Sequence, residues 1–328
     1  MPSIRLQIVL CSLVAALAWA ATATASGQIN LVAYSTPKTV MGKIIQAWQA
    51  TPDGNGVSFT QSYGASTDQA KAVAAGLNAD VVFLSTGDDV NLLVDAGLVD
   101  QNWSRQSYDG IAADTVVVFA VRNGNPKHIK GWNDLIKPGV QVVTPNPFSS
   151  GSAKWNVMAA YDAQRHLGKT DKQATAYVEQ LFSHVVSQDT SGRNATNTFL
   201  AGKGDVLLTY ESEALASRAA GQDIQYVIPR QTMLIQLPIA VLEGSSNKDT
   251  AQKFIRFTKG AVAQDLFAQN GFRPVDPAIA KKYASKYPAR PGMFTIDDKT
   301  IGGWRSADKK WFDPNNGVMA QIERAVGG

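Results

Sequence analysis

Short apolar runs alternate with stretches whose apolar residues fall three or four apart, and the alternation persists from residue 29 to beyond residue 260. A short run rich in β-branched residues reads as a buried strand, and the three-four spacing as one face of a helix. Residues 29–34 predict a strand, and Met41, Ile44, Ile45 and Trp48 predict the buried face of the helix after it. Residues 57–60 and 80–84 predict the next two strands. Ala70, Val73, Ala74 and Leu77 mark a helical face between them, and Leu92, Leu93 and Ala96 mark another beyond. Residues 115–121 form a long β-branched strand closed by Asn123-Gly124-Asn125-Pro126. The pattern then restarts. Strands are predicted at residues 140–144, 185–187, 206–209, 226–228 and 237–242, with helices over 153–167, 171–183, 249–258 and 261–270.

Strands alternating with helices predict an α/β architecture. A length of 328 residues suits about two cores. With no flexible linker between them, the chain is expected to cross from one lobe to the other near residues 116–123 and to return near 230–238. The expected division is residues 26–118 with 235–272 as lobe 1 and 119–234 as lobe 2. Residues 273–328, with Pro274, Pro288, Pro291 and Gly302-Gly303-Trp304, wrap the lobes.

The first 25 residues stand apart. Arg5 precedes an apolar run from Ile8 to Ala21 broken only by Ser12, and Ala23-Thr24-Ala25 follows with small residues at signal-peptidase spacing. The run is shorter than the ~20 residues of a spanning helix, so residues 1–25 are read as a cleaved signal peptide. The single cysteine, Cys11, lies inside it, so the mature chain has neither disulfide nor thiol chemistry. An exported protein without lipid or disulfide suits the periplasm. Thirty-one basic against 27 acidic side chains give a net charge of +4, or +3 once Arg5 is removed. That bias suits small anions. The basic residues are scattered without aromatic interleaving, so nucleic acid is not an expected partner.

Candidate chemistry lies in three strand-to-helix turns rich in hydroxyls and glycine: Tyr34-Ser35-Thr36-Pro37-Lys38, Ser62-Tyr63-Gly64-Ala65-Ser66, and Asn146-Pro147-Phe148-Ser149-Ser150-Gly151-Ser152. Helix starts present free N–H groups and the positive end of the macrodipole, and so attract anions without a lysine. The plainer reading is that these are ordinary caps, with Thr36 capping, Pro37 at the first helical position, and Ser66 and Gln69 in a capping box.

Longer phrases carry a resemblance. Asn125-Pro126-Lys127, the run from Trp132 to Gly139, Thr144-Pro145-Asn146-Pro147, Ser149-Ser150-Gly151 and Lys154-Trp155-Asn156 closely resemble the periplasmic sulfate- and thiosulfate-binding proteins. So do Ser62 to Ser66, Ala79 to Val82, Thr196 to Phe199, Asp205 to Leu208 with Glu211 and Glu213, and Phe294 to Asp297 with Gly302-Gly303-Trp304. The resemblance spans essentially the whole mature chain. It implies an α/β, two-lobe periplasmic binding protein fold of type II with the ligand in the interlobe cleft. It implies a monomeric solute-binding protein that delivers sulfate, or thiosulfate, to the membrane permease of an ABC importer. It implies ligand contacts from Ser66 (hydroxyl and N–H), Ser150, Gly151, Ser152 and Gly192. Tyr210 stands where relatives carry a tryptophan donor, Ser152 where they carry glycine, and Ser35 where they carry aspartate. Ser35 is therefore a further candidate contact. Arg193 is either a charged ligand or a brace held by a helix end or Asp189. No cofactor, metal or catalytic residue is implied.

Sulfate is unprotonated near neutral pH and only accepts hydrogen bonds, whereas phosphate keeps a P–OH that needs an acceptor. The candidate positions hold no carboxylate, so phosphate is expected to be rejected. Molybdate and tungstate are unprotonated dianions too, and a site for one of them is the alternative reading. A remoter alternative is a serine hydrolase using Ser35-x-x-Lys38, whose partner motifs S-D-N and K-T-G do not occur in the chain. His128, His166 and His184 lack H-x-x-x-H spacing or an acidic partner at metal spacing and read as surface or packing residues.

Overall fold

A computed structural model describes residues 27–327; the expected signal peptide lies outside the described residues. The first half runs β1 (Gln28–Tyr34), α1 (Lys38–Gln49), β2 (Ser58–Gly64), α2 (Ser66–Ala74), β3 (Val81–Phe83) and α3 (Gly87–Asp95). After β4 (Ile111–Arg122) come β5 (Val142–Pro145), α4 (Gly151–His166), α5 (Asp171–Ser183), β6 (Val185–Asp189), α6 (Gly192–Leu200), β7 (Val206–Tyr210), α7 (Glu211–Ala219) and β8 (Ile224–Val227). The chain then returns through β9 (Thr232–Val241), α8 (Lys248–Thr258) and α9 (Ala261–Gln269). It ends with α10 (Pro277–Lys282), β10 (Met293–Phe294), α11 (Trp304–Ala307) and α12 (Val318–Val326).

The strands join in the order β2-β1-β3-β9-β4-β7-β5-β6. Parallel pairing links β1 to β2 and β3 on one side, and β5 to β6 and β7 on the other. Two long antiparallel strands connect these groups. The first half of β4 pairs with β9 from Ile111↔Pro238 to Val116↔Leu234, while its second half pairs with β7 and β8. The last residues of β9 pair with β3. The result is a two-lobe α/β fold with β4 and β9 running through both halves.

The predicted face of α1 is buried throughout, and Trp48 meets Phe59 and Phe254 edge-on at 5.7 and 5.2 Å. Two details differ from the expectation. Strand β2 extends to Gly64, through the segment read as a turn, because Ser62 and Tyr63 pair in register with Val32 and Ala33. Helix α2 stops at Ala74, so Ala74 and Leu77 are exposed, and Ala70 and Val73 alone carry its core contact. The C-terminal segment packs Trp304 edge-on against Trp155 at 4.6 Å and Trp311 against Tyr161 at 4.8 Å, which ties it to α4.

Candidate functional site

Strand-to-helix loops from both halves of the sheet meet in one place. Tyr34 ends β1 and Ser35 and Thr36 follow it, and Gly64, Ala65 and Ser66 join β2 to α2. Ser85 follows β3, Ser150 and Ser152 open α4, and Ser191 and Gly192 open α6. Together they line one small pocket. None of the lining side chains bears a charge. A larger hollow beside it contains Asp88, Lys154 and Asp308, but Lys154 pairs with both carboxylates, so those charges serve one another.

The helix starts supply the polarity. The first amides of α2, α4 and α6 (at Ser66, Gly151, Ser152 and Gly192) have no intrahelical acceptor, and each helix adds its positive end. At the starts of α2 and α4 no hydroxyl is spent on capping. Ser150 is the N-cap of α4 yet makes no side-chain capping bond, and the start of α1 has no capping side chain either. Ser191 does cap α6, and outside the cavity wall Thr86 and Thr170 cap their helices in the same way. The expected Thr36 cap and the Ser66–Gln69 capping box are therefore absent: Ala65 is the N-cap of α2, and Gln69 turns to Ser62 and the Ala33 carbonyl.

Two further hydroxyls, Tyr34 Oη and Thr36 Oγ1, are buried at the cavity and adjoin each other, without a well-formed hydrogen bond to any protein atom among the described residues. Burial, reinforced by Tyr210, pushes the Tyr34 phenol well above its ordinary pKa, so it keeps its proton as a donor. Tyr210 is likewise raised by burial. It stands behind the cavity wall, with its hydroxyl 2.5 Å from Ser85 Oγ and close to Ser152.

Ser66 is at the wall, but its hydroxyl donates to Asp89 Oδ2 at 2.5 Å and accepts the Ser85 N–H at 2.8 Å. Its backbone N–H is the group left for the cavity. The other Asp89 oxygen accepts from Thr67 at 2.7 Å, so this carboxylate is engaged away from the cavity. Gly151 sits against the same residues: a Cβ there would lie 2.9 Å from Ser85 Cβ and from Thr86 Cγ2. Gly192 packs less tightly, with an added Cβ 3.1 Å from Ser152 Oγ.

Bonds cross the cleft around this cavity. Thr67 and Asp68 N–H both donate to the Ser149 carbonyl at 3.1 and 3.3 Å, and Trp155 Nε1 donates to the Ser85 carbonyl at 2.7 Å. Arg193 is not in the wall. Its guanidinium pairs with buried Glu213 at 3.1 Å and donates to the Thr36 carbonyl at 3.2 Å, so it braces α6 against the loop after β1. The expected partner Asp189 is taken by Thr198 instead. Burial pushes Glu213 up to about 7, against the pull of Arg193. In the Ser35-x-x-Lys38 motif, Lys38 is exposed with Nζ 5.9 Å from the Tyr63 ring centre.

Of the candidate contacts, Ser35, Ser66, Ser150, Ser152 and Gly192 line the cavity, Gly151 closes its edge, and Tyr210 and Arg193 stand behind. Sequence reasoning missed Ser85 and Ser191 and took Thr36 for a cap. Ser85-Thr86-Gly87 has the same strand-to-helix composition as the three turns singled out, and that criterion would have found it. The reading of His166 is also corrected: Asp162, one turn earlier on α4, and Asp298 both approach its ring.

Residues 29–273 match the bacterial extracellular solute-binding protein family. The chain is 37% identical over 319 residues to a sulfate-binding protein of Escherichia coli, covering 93% of this chain and 96% of that one. It is 36% identical over 284 residues to a thiosulfate-binding protein of Pseudomonas aeruginosa, covering 84% of each. The solved structure of the sulfate-binding protein SubI from Mycobacterium tuberculosis superposes with a TM-score of 0.84 at 45% identity, covering 88% of this chain and 100% of that chain.

Proposed function

The chain belongs to the sulfate- and thiosulfate-binding proteins within the bacterial extracellular solute-binding family, and from that membership we propose that its cleft captures one dehydrated sulfate or thiosulfate ion. The loaded protein delivers it to the membrane permease of an ABC importer. The observation that carries this reading is the uncharged cavity at the starts of α2, α4 and α6, where free helix-start amides converge and the Ser150 hydroxyl stands free of capping duty. Ser150, Ser152 and Ser35 supply hydroxyls, and Ser66, Gly151, Ser152 and Gly192 supply N–H groups. Tyr34 and Thr36 join them, while Tyr210 orients Ser85 and Ser152. A hydrogen bond to a charged group is worth ~1.5–3 kcal/mol, so half a dozen hold a dianion without a counter-charge.

The lobes of this reading are residues 26–118 with 235–272, and 119–234, hinged on β4 and β9. The working protein is a periplasmic monomer freed by cleavage near residue 25. Among the described residues no helix is long and apolar enough to cross a membrane.

A thermal-shift panel of sulfate, thiosulfate, molybdate and phosphate tests the ligand. At 100 times its dissociation constant the true ligand stabilises by ~2.7 kcal/mol. Sulfate or thiosulfate is expected to shift the melting temperature most, and phosphate not at all. A dominant response to molybdate would reassign the ligand, and an equal response to phosphate would remove the neutral-donor argument.

A further inference from the structure

Outside the cleft, α4 and the C-terminal segment bring together a second set of polar side chains. Asp162 and His166 lie one turn apart on the same face of α4, and Asp298 and Thr300 come from the loop after β10. His166 Nε2 is 3.1 Å from Asp298 Oδ2 and 3.5 Å from Asp162 Oδ2, and one ligand atom from each of the three residues falls within 4.8 Å of the others. The Thr300 hydroxyl bonds to Asp162 and also lies 3.1 Å from Asp298 Oδ1, but it has one proton to give. Asp162 is fully buried, and its Oδ2, aimed at the imidazole, makes no hydrogen bond among the described residues. The Phe294 ring stacks on His166 at 4.8 Å and fixes the plane of the imidazole.

We propose that Asp162, His166 and Asp298 form a binding site for a first-row divalent cation of the zinc class, which fastens the C-terminal segment to α4. One imidazole with two carboxylates suits zinc, nickel or copper, whereas calcium and magnesium take oxygen ligands alone. Two ligands on a tetrahedral ion at ~2.0–2.1 Å stand about 3.3–3.4 Å apart, and the two separations from Nε2 fall on either side of that value. Two carboxylates and a neutral imidazole carry a net charge of −2, which the ion offsets. The nearby Arg165 guanidinium does not fill that role with a hydrogen bond, since it donates to the Lys169 carbonyl at 2.7 Å. His166 and Asp298 are partly exposed, which leaves an open side for the ion and for a water as fourth ligand.

The rival is a proton on His166 that bridges the same two carboxylates with no metal. Cobalt(II) titration of the purified protein at pH 7.5, followed by its visible absorption, separates the two. The site predicts one ion per chain, the intense band of four-coordinate cobalt, and displacement by zinc. His166→Gln and Asp298→Asn alter partly exposed side chains and should fold. Each is expected to weaken binding by more than the ~10–100-fold typical of losing a ligand's hydrogen-bond partner. Zinc should raise the melting temperature of the wild type and leave that of His166→Gln unchanged. No stoichiometric binding up to millimolar metal, or equal binding by both variants, overturns the proposal and leaves the protonated bridge. Sulfate affinity should be the same in wild type and both variants, so this result and that of the cleft stand apart.

Discussion

A serine or threonine at a helix start ordinarily turns back onto the first-turn amides, and the three turns read from the sequence could all have been such caps. They differ in what each hydroxyl does instead. Ser66 gives its proton to buried Asp89, so Ser66→Ala leaves that carboxylate short of a partner. It is expected to reduce stability by about 1–3 kcal/mol while changing sulfate affinity little. Ser150 has no such duty, and Ser150→Ala should weaken sulfate binding by about 1–2 kcal/mol with the melting temperature unchanged. Calorimetry and thermal melts on the two variants check this, and the reverse pattern would exchange their roles. A separate residue makes a pH prediction. Lys259 Nζ is buried without a partner among the described residues, and burial, against a weak pull from Asp109, lowers it to about 8. Unfolding restores a value near ~10.4. Charged Lys259 therefore penalises the fold below pH 8, and the penalty fades as pH rises from about 8 towards ~10. Lys259→Met should accordingly raise the melting temperature by about 2 °C or more at pH 7, with a smaller gain at pH 9.5. A gain that grows with pH would contradict this sign.

At the scale of elements, two glycines decide how closely helix starts approach one another. An added Cβ at Gly151 meets Ser85 Cβ and Thr86 Cγ2 at 2.9 Å, inside any normal contact, so Gly151→Ala must push α4 away from the loop after β3. Sulfate affinity is expected to fall at least ~10-fold. Gly192→Ala meets the movable Ser152 hydroxyl at 3.1 Å and should cost less. Equal losses would mean that the wall yields alike at both places. These elements were unequally legible in the chain. Helix α5 announces itself through its Thr170–Gln173 capping box and the spacing of Ala174, Val178 and Leu181. Helices α6 and α7 escaped notice because their first turns, Gly192-Arg193-Asn194 and Glu211-Ser212-Glu213, look polar and turn-like; packing makes α6 helical despite weak formers, whereas the Glu, Ala, Leu and Arg of α7 favour a helix by themselves. The walls of the site were legible because strand-to-helix turns have a recognisable composition. Asp89 and Glu213, which hold those walls from behind, carry no local signal, since their partners Ser66 and Arg193 lie 23 and 20 positions away in the chain.

For the whole molecule, the cleft gathers neutral donors from both halves, and backbone bonds from Thr67 and Asp68 to Ser149 join its two sides. A ligand that bonds to both sides favours the closed state by its differential contacts. Because hydrogen bonds and helix dipoles act at contact range, sulfate affinity should change little between low and moderate sodium chloride, where long-range charge is screened over ~8–10 Å. A steep loss over that range would point to charged ligands, with Arg193 the first suspect. The most direct test of the account is a calorimetric titration of sulfate into the wild type and into Ser150→Asp. A carboxylate at the start of α4 would repel the dianion from the amides of Gly151 and Ser152. The account predicts one sulfate bound per wild-type chain and a loss of at least ~100-fold in the variant without loss of folding. Equal affinity in both proteins would contradict it and place the anion elsewhere.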